Sequence, residues 1–146
     1  MPESLEILLL DLLLGMTAHS DAQMLLGQQG RVLESMVEYA AAAEGRRAGT
    51  TKQLSLAALR NMCFASVNRH KLLQSGPFLS LIAENLERAA SDAVLAIVFV
   101  TLWALAANNS RAKQILKRSG VSDAFFRTVG PGSKSTELSR TVAKIL

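Results

Sequence analysis

Leu59-Arg60-Asn61-Met62-Cys63-Phe64-Ala65-Ser66-Val67-Asn68-Arg69-His70-Lys71-Leu72-Leu73-Gln74-Ser75-Gly76 is the stretch on which the fold turns. It reads as the end of a long helix, a break, a short helix and a glycine stop. The series Leu59, Met62, Ser66, Leu72, Gly76 has a counterpart 46 residues earlier, at Leu13, Met16, Ser20, Leu26 and Gly30. A third copy follows 43 residues later, at Leu102, Leu105, Asn109, Ile115 and Ser119-Gly120. One plan is thus written three times: long helix, break, short helix, glycine, further helix.

Local chemistry supports the breaks. Ser20 followed by Gln23 has the spacing of a capping box, and Asn68 and Ser110 stand where the other two short helices should begin. Gly30, Gly76 and Gly120 stand where they should stop, because glycine enters the left-handed region without a Cβ penalty. Pro77 suits the first turn of the next helix. The pattern predicts helices over 3–17, 20–27, 31–44, 53–65, 68–75, 77–91, 92–107, 111–118 and 121–129. Loops are expected at Gly45–Thr51 and Gly130–Lys134, and a final helix within 135–146 carries Leu138, Val142 and Ile145 at helical spacing.

Composition agrees. Leucine (24) and alanine (21) outnumber Val, Ile and Thr (21 together) two to one, which favours helix over strand. With 146 residues and 49% hydrophobic content, one domain with a sizeable core is expected. Repeats of about 40–47 residues are the period of armadillo and HEAT arrays. The expectation is therefore an all-α, armadillo/HEAT-like α-solenoid of about three repeats, at 3–44, 53–91 and 92–129, with a tail at 130–146. The Leu-rich first helix has no preceding repeat to cover it, so the chain reads as a fragment of a longer solenoid.

Charge and cysteine content narrow the setting. A net charge of +4 suits an acidic partner but falls short of a nucleic-acid signature. The one cysteine, Cys63, cannot form an internal disulfide, which fits a reducing cytosol. Ile7–Leu14 imitates a signal-peptide core but lacks a preceding basic residue and is interrupted by Asp11. The longest apolar run, Ala93–Ala107, has 15 residues, short of the ~20 needed to span a bilayer, and reads as a buried helix.

No residue set reads as catalytic. Cys63 shares a helical stripe with Leu56 and Leu59 and reads as a buried small hydrophobe. His19 and His70 lie 51 residues apart, with no metal-binding partner at helical spacing. Gly27–Gly30 lacks the Lys-Ser/Thr of a phosphate loop. No enzyme activity, cofactor or metal is expected, and neither nucleic acid nor membrane is an expected partner.

Binding surfaces are the stronger candidates. Gln53, Ala57 and Asn61 are four apart on one predicted face, with Arg60 beside it. Asn61 suits either a local helix-to-turn hydrogen bond or a partner contact. Trp103 aligns with Arg60 in the repeat register and could flank a groove, although burial against Phe125 and Phe126 is the preferred reading. Arg69, His70 and Lys71 crowd one short helix; Arg111, Lys113, Lys117 and Arg118 crowd its counterpart, so stacking would join them into one basic edge. The candidate partner-binding residues are Gln53, Arg60, Asn61, Trp103, Lys113, Lys117 and Arg118. An amphipathic or acidic helix on a protein partner fits them.

Ala58-Leu59-Arg60-Asn61-Met62-Cys63 resembles the Ala-Leu-x-Asn-Ile-Ala signature of armadillo third helices, and Leu102-Trp103-Ala104-Leu105 is similar to that family's Trp-Ala-Leu. The resemblance implies a groove whose asparagine bonds an extended partner. A narrower likeness runs over residues 56–124. Leu59-Arg60-Asn61-Met62-Cys63-Phe64, Asn68 with Lys71-Leu72-Leu73, Leu102–Leu105, Ala112-Lys113 and Leu116-Lys117, in that order, resemble the C-terminal armadillo-like region of the rotatin family. That resemblance implies a non-enzymatic scaffold of centrioles and basal bodies, acting in centriole assembly and cilium formation through a centriolar partner protein. The implied location is the cytoplasm and cytoskeleton, at the centrosome. The alternatives are a generic armadillo adaptor in transport or signalling and, further off, a nucleic-acid-binding solenoid.

Overall fold

The computed structural model describes residues 3–43, 48–130 and 136–146. These are all-helical: α1 (Glu3–Thr17), α2 (Ser20–Gln28), α3 (Val32–Ala41), α4 (Ala48–Met62), α5 (Ser66–Leu73), α6 (Gly76–Glu87), α7 (Asp92–Ala106), α8 (Ser110–Arg118), α9 (Val121–Thr128) and α10 (Glu137–Ile145). No strand occurs among the described residues. Residues 45–47 of the first expected loop and 131–134 of the second lie outside the described residues.

Each helix packs on the one three places further along the chain. The long helices α1, α4, α7 and α10 contact one another in that order, as do α2, α5 and α8, and α3, α6 and α9. One continuous core runs through them, with Leu56, Leu59 and Met62 of α4 and Val94, Val98, Leu102 and Leu105 of α7 almost wholly buried. The apolar character of α7 on nearly every side follows from its position, since it touches α4, α6, α8 and α10. Phe99 meets Phe125 edge-on, with ring centroids 5.4 Å apart. Tail helix α10 adds Val142 to the core and is closed by a capping box between Thr136 and Ser139.

Several boundaries differ from the expected ones, and each difference has a local cause. Helix α4 begins at Ala48, so Thr50 and Thr51 are helical and Thr51 is buried. Helix α5 begins at Ser66, which puts Asn68 inside it, fully buried; its Nδ2 donates to the carbonyls of Gln23 and Met62. Asn68 therefore joins three helices and is not the N-cap of α5, which is Ala65. At α2 the N-cap is His19, without a side-chain bond, and the Gln23 amide donates to the Thr17 carbonyl at 2.8 Å in place of the expected capping box. At α8 the cap is Asn109, whose Oδ1 accepts from the Ala112 N–H, and Ser110 is the first helical residue. Gly76 opens α6 behind the N-cap Ser75 and stops nothing, while Pro77 sits in the first turn as expected. Gly120, at φ +85°, makes the left-handed turn between α8 and α9.

Candidate functional site

The face expected on α4 is divided by packing. Gln53 is exposed, but Ala57 and Asn61 are buried, because α4 lies between α1 and α7. Asn61 Nδ2 donates to Thr17 Oγ1 at 3.3 Å, and Thr17 Oγ1 donates to the Leu14 carbonyl at 2.9 Å. Asn61 Oδ1 in turn accepts from Arg60 Nε and Nη2, at 3.3 and 3.2 Å. The asparagine thus spends its polar atoms on the seam between α1 and α4, and Arg60, half-buried, leans over it. The bond to Thr17 joins residues 44 apart on two helices, and is not the local helix-to-turn bond expected from the sequence.

Trp103 departs from the preferred expectation. It is 42% exposed, and the rings packed edge-on against Phe125 are those of Phe99 and Phe126. The helical turn explains this: Phe99, Leu102, Leu105 and Ala106 face inward, and a rotation of about 100° from Leu102 carries Trp103 to the rim. A large aromatic side chain therefore stands open on α7, next in the row to the helix carrying Arg60 and Gln53.

Helix α8 is strongly two-sided. Ala112 and Leu116 are buried, Lys113 is half-exposed, and Lys117 and Arg118 are exposed. Lys113 and Lys117 lie one turn apart and share a face. The wider basic edge expected along α5 and α8 is thinner than the sequence suggests. Arg69 Nη1 donates to the carbonyls of Cys63 and Phe64 at 2.9 and 3.1 Å, and Lys71 Nζ to that of Gly27 at 2.8 Å. Both serve the ends of preceding helices, where carbonyls lack helical partners and the dipole is negative. His70, bonded to Gln74, lines a small cleft between α5 and α8 with Arg69 and Arg111.

Cys63 is wholly buried, and burial pushes its thiol up to about 12, against a weaker opposing pull from Arg69. A thiol so desolvated stays protonated and is a poor nucleophile. Among the described residues no group of three or more His, Cys, Asp or Glu could hold a metal, and no helix is long and apolar enough to cross a membrane.

One surface was only half visible in the sequence. Between α1, α3 and α4 lies an apolar groove of about 480 Å³, lined by Leu9, Leu10, Leu13, Val32, Met36 and Tyr39, with Glu6 and Arg31 also on its lining. The Leu-rich first helix announced exposed apolar surface, but the share taken by α3 depends on how α3 crosses α1. No family model, curated protein or solved structure matches this chain.

Proposed function

We propose that the chain is a non-enzymatic protein-interaction scaffold, built as an armadillo-like solenoid of about three repeats. The observation that carries this reading is the contact order, in which each helix packs on the one three places on. Such units bury their apolar faces only by stacking on neighbours, which suits a chain whose buried core runs from Leu33 of α3 to Val142 of α10. A repeated hydrogen bond supports the register: Gln23 donates to the Thr17 carbonyl, and Arg69, 46 residues later, donates to that of Cys63.

Within that reading, the docking surface consists of Gln53, Arg60 and Trp103 on the α4–α7 side, with Lys113, Lys117 and Arg118 on the α8 edge. Asn61 holds Arg60 from below and acts through it. An acidic or amphipathic helix on a centriolar protein would bury apolar area against Trp103 and set carboxylates against α8. The setting, centrioles and basal bodies, rests on the resemblance to the rotatin family stated above. The test is a tagged chain expressed in dividing cells, followed by imaging against a centriole marker and identification of co-purified proteins. Centrosomal localisation with a centriolar partner is the expected result. A diffuse chain that captures transport or signalling proteins instead would make it a general armadillo adaptor.

A further inference from the structure

Two seams join the short helices α2, α5 and α8, and they are built differently. Positions can be matched by counting from the N-caps, His19 of α2, Ala65 of α5 and Asn109 of α8. In the seam between α2 and α5, Asn68 is fully buried and donates from Nδ2 to the Gln23 carbonyl, and Gly27 lets the helices approach closely. In the seam between α5 and α8, Ala112 stands in the place of Asn68 and Leu73 in that of Gly27. Ala112 is too short to bridge, and Leu73 is bulkier than the glycine it replaces. The second seam has lost its bridge, and a cleft of about 130 Å³ stands open along it.

The polar lining of that cleft is Arg69, His70 and Arg111 with Ser66, Gln74 and Asn109, and it includes no carboxylate. Residues 45–83 and 93–122 contain no Asp or Glu, so α4, α5 and α8 supply none to neutralise the cations. Arg69 is half-buried and fixed: its Nη1 donates to the carbonyls of Cys63 and Phe64, while Nε and Nη2 find no acceptor among the described residues. Gln74 donates to His70 Nε2 at 3.2 Å, which leaves the ring proton on Nδ1. The Arg111 guanidinium is exposed and makes no hydrogen bond or ion pair among the described residues. Asn109 has its Oδ1 taken by the Ala112 N–H, and its amide hydrogens are unused. The cleft therefore presents an excess of donors and two permanent positive charges.

We propose that the cleft between α5 and α8 is a phosphate-monoester site that takes a phosphoserine or phosphothreonine side chain of another protein. Such a group carries about −1.5 to −2 charges at pH 7 and three strong acceptor oxygens. Two guanidiniums with unused N–H donors match it better than they match the single charge of a carboxylate. Arg69, already held in place by its carbonyl bonds, gives up little freedom on binding, and Arg111 meets the group from α8. The volume, roughly that of four waters, suits one phosphate group and not a run of nucleotides. No aromatic ring lines the cleft for a base to stack on, which disfavours nucleic acid. None of the residues assigned to the docking surface above lines it either, so the site is independent of that reading and of the centriolar setting.

The test uses the whole chain and a short fluorescent peptide with one phosphoserine among uncharged residues, titrated by anisotropy beside the same peptide unphosphorylated. Saturable one-to-one binding of the phosphopeptide is expected, with the unphosphorylated peptide at least about tenfold weaker. Arg111→Gln, at an exposed position with no bond to lose, should weaken the phosphopeptide at least about tenfold. Ser66→Glu should do the same by placing a carboxylate in the lining; if it melts early, Arg111→Gln decides alone. Arg140→Gln removes an equal charge from the exposed face of α10 and should leave the affinity within about twofold. Inorganic phosphate should displace the labelled peptide only at a much higher concentration than the unlabelled phosphopeptide does. Equal binding of the two peptides would overturn the proposal, as would equal weakening by Arg111→Gln and Arg140→Gln, the mark of diffuse charge. So would inorganic phosphate competing as well as the phosphopeptide, or a single-stranded RNA displacing it at lower concentration.

Discussion

Gly27 and Gly15 are both helical glycines, yet their surroundings give them opposite roles. A Cβ on Gly27 would stand 1.8 Å from Asn68 Oδ1, and Asn68 is held by its bonds to Gln23 and Met62, so it cannot step aside. Asn68 Oδ1 is buried without a hydrogen-bond partner among the described residues, where α2 passes close over it. Gly27→Ala should therefore cost about 1–3 kcal/mol through overpacking. Nothing lies within 4 Å of a Cβ on Gly15, so Gly15→Ala should add about 0.5–1 kcal/mol of stability. Urea denaturation of the two variants distinguishes these signs. Cys63 supplies a pH effect. Its folded-state pKa is raised, so its contribution is complete below the free-thiol value of 9.0 and is lost as pH climbs through about 12. Cys63→Val should flatten that part of the alkaline decline, and native protein should resist alkylation at neutral pH. Its burial was legible from the stripe it shares with Leu56 and Leu59; the Gly27–Asn68 contact was not, since it joins residues of different helices.

At the level of elements, the cap of α8 and the surface it carries can be separated by experiment. Asn109→Ala removes the bond to the Ala112 N–H and should cost about 1 kcal/mol, read as a lower melting temperature. Lys113→Glu with Lys117→Glu changes only half-exposed and exposed side chains, so the fold should stand while partner binding falls, most at low salt. Trp103→Ala should weaken the same partner with little salt dependence, because it removes apolar contact. Titration of the co-purified partner against these folded variants checks both. The Lys/Arg spacing on α8 could be read from sequence. That Arg69 and Lys71 on α5 are committed to carbonyls could not, because their acceptors belong to other elements.

For the whole molecule, the difference in burial between α1 and the inner helices α4 and α7 predicts where stability resides. Leu59→Ala and Leu102→Ala, at sites nearly or wholly inaccessible, should each cost about 2–5 kcal/mol. Leu12→Ala, at 61% exposure on α1, should fall within about 0.5 kcal/mol of the parent chain. Chemical denaturation of the three variants tests this, and equal losses at all three would mean that α1 is covered in solution. The helical class, the order of the helices and the burial of Cys63 beside Leu56 and Leu59 were determined by the sequence alone, because apolar periodicity and Leu/Ala content are local properties that the chain carries wherever it packs. The ends of α4 and α5, the inward turn of Asn61 and Asn68, the outward turn of Trp103 and the groove between α1 and α3 were decided only in the tertiary structure. Each depends on which helix lies alongside and at what angle, and spacing within one segment contains no such information.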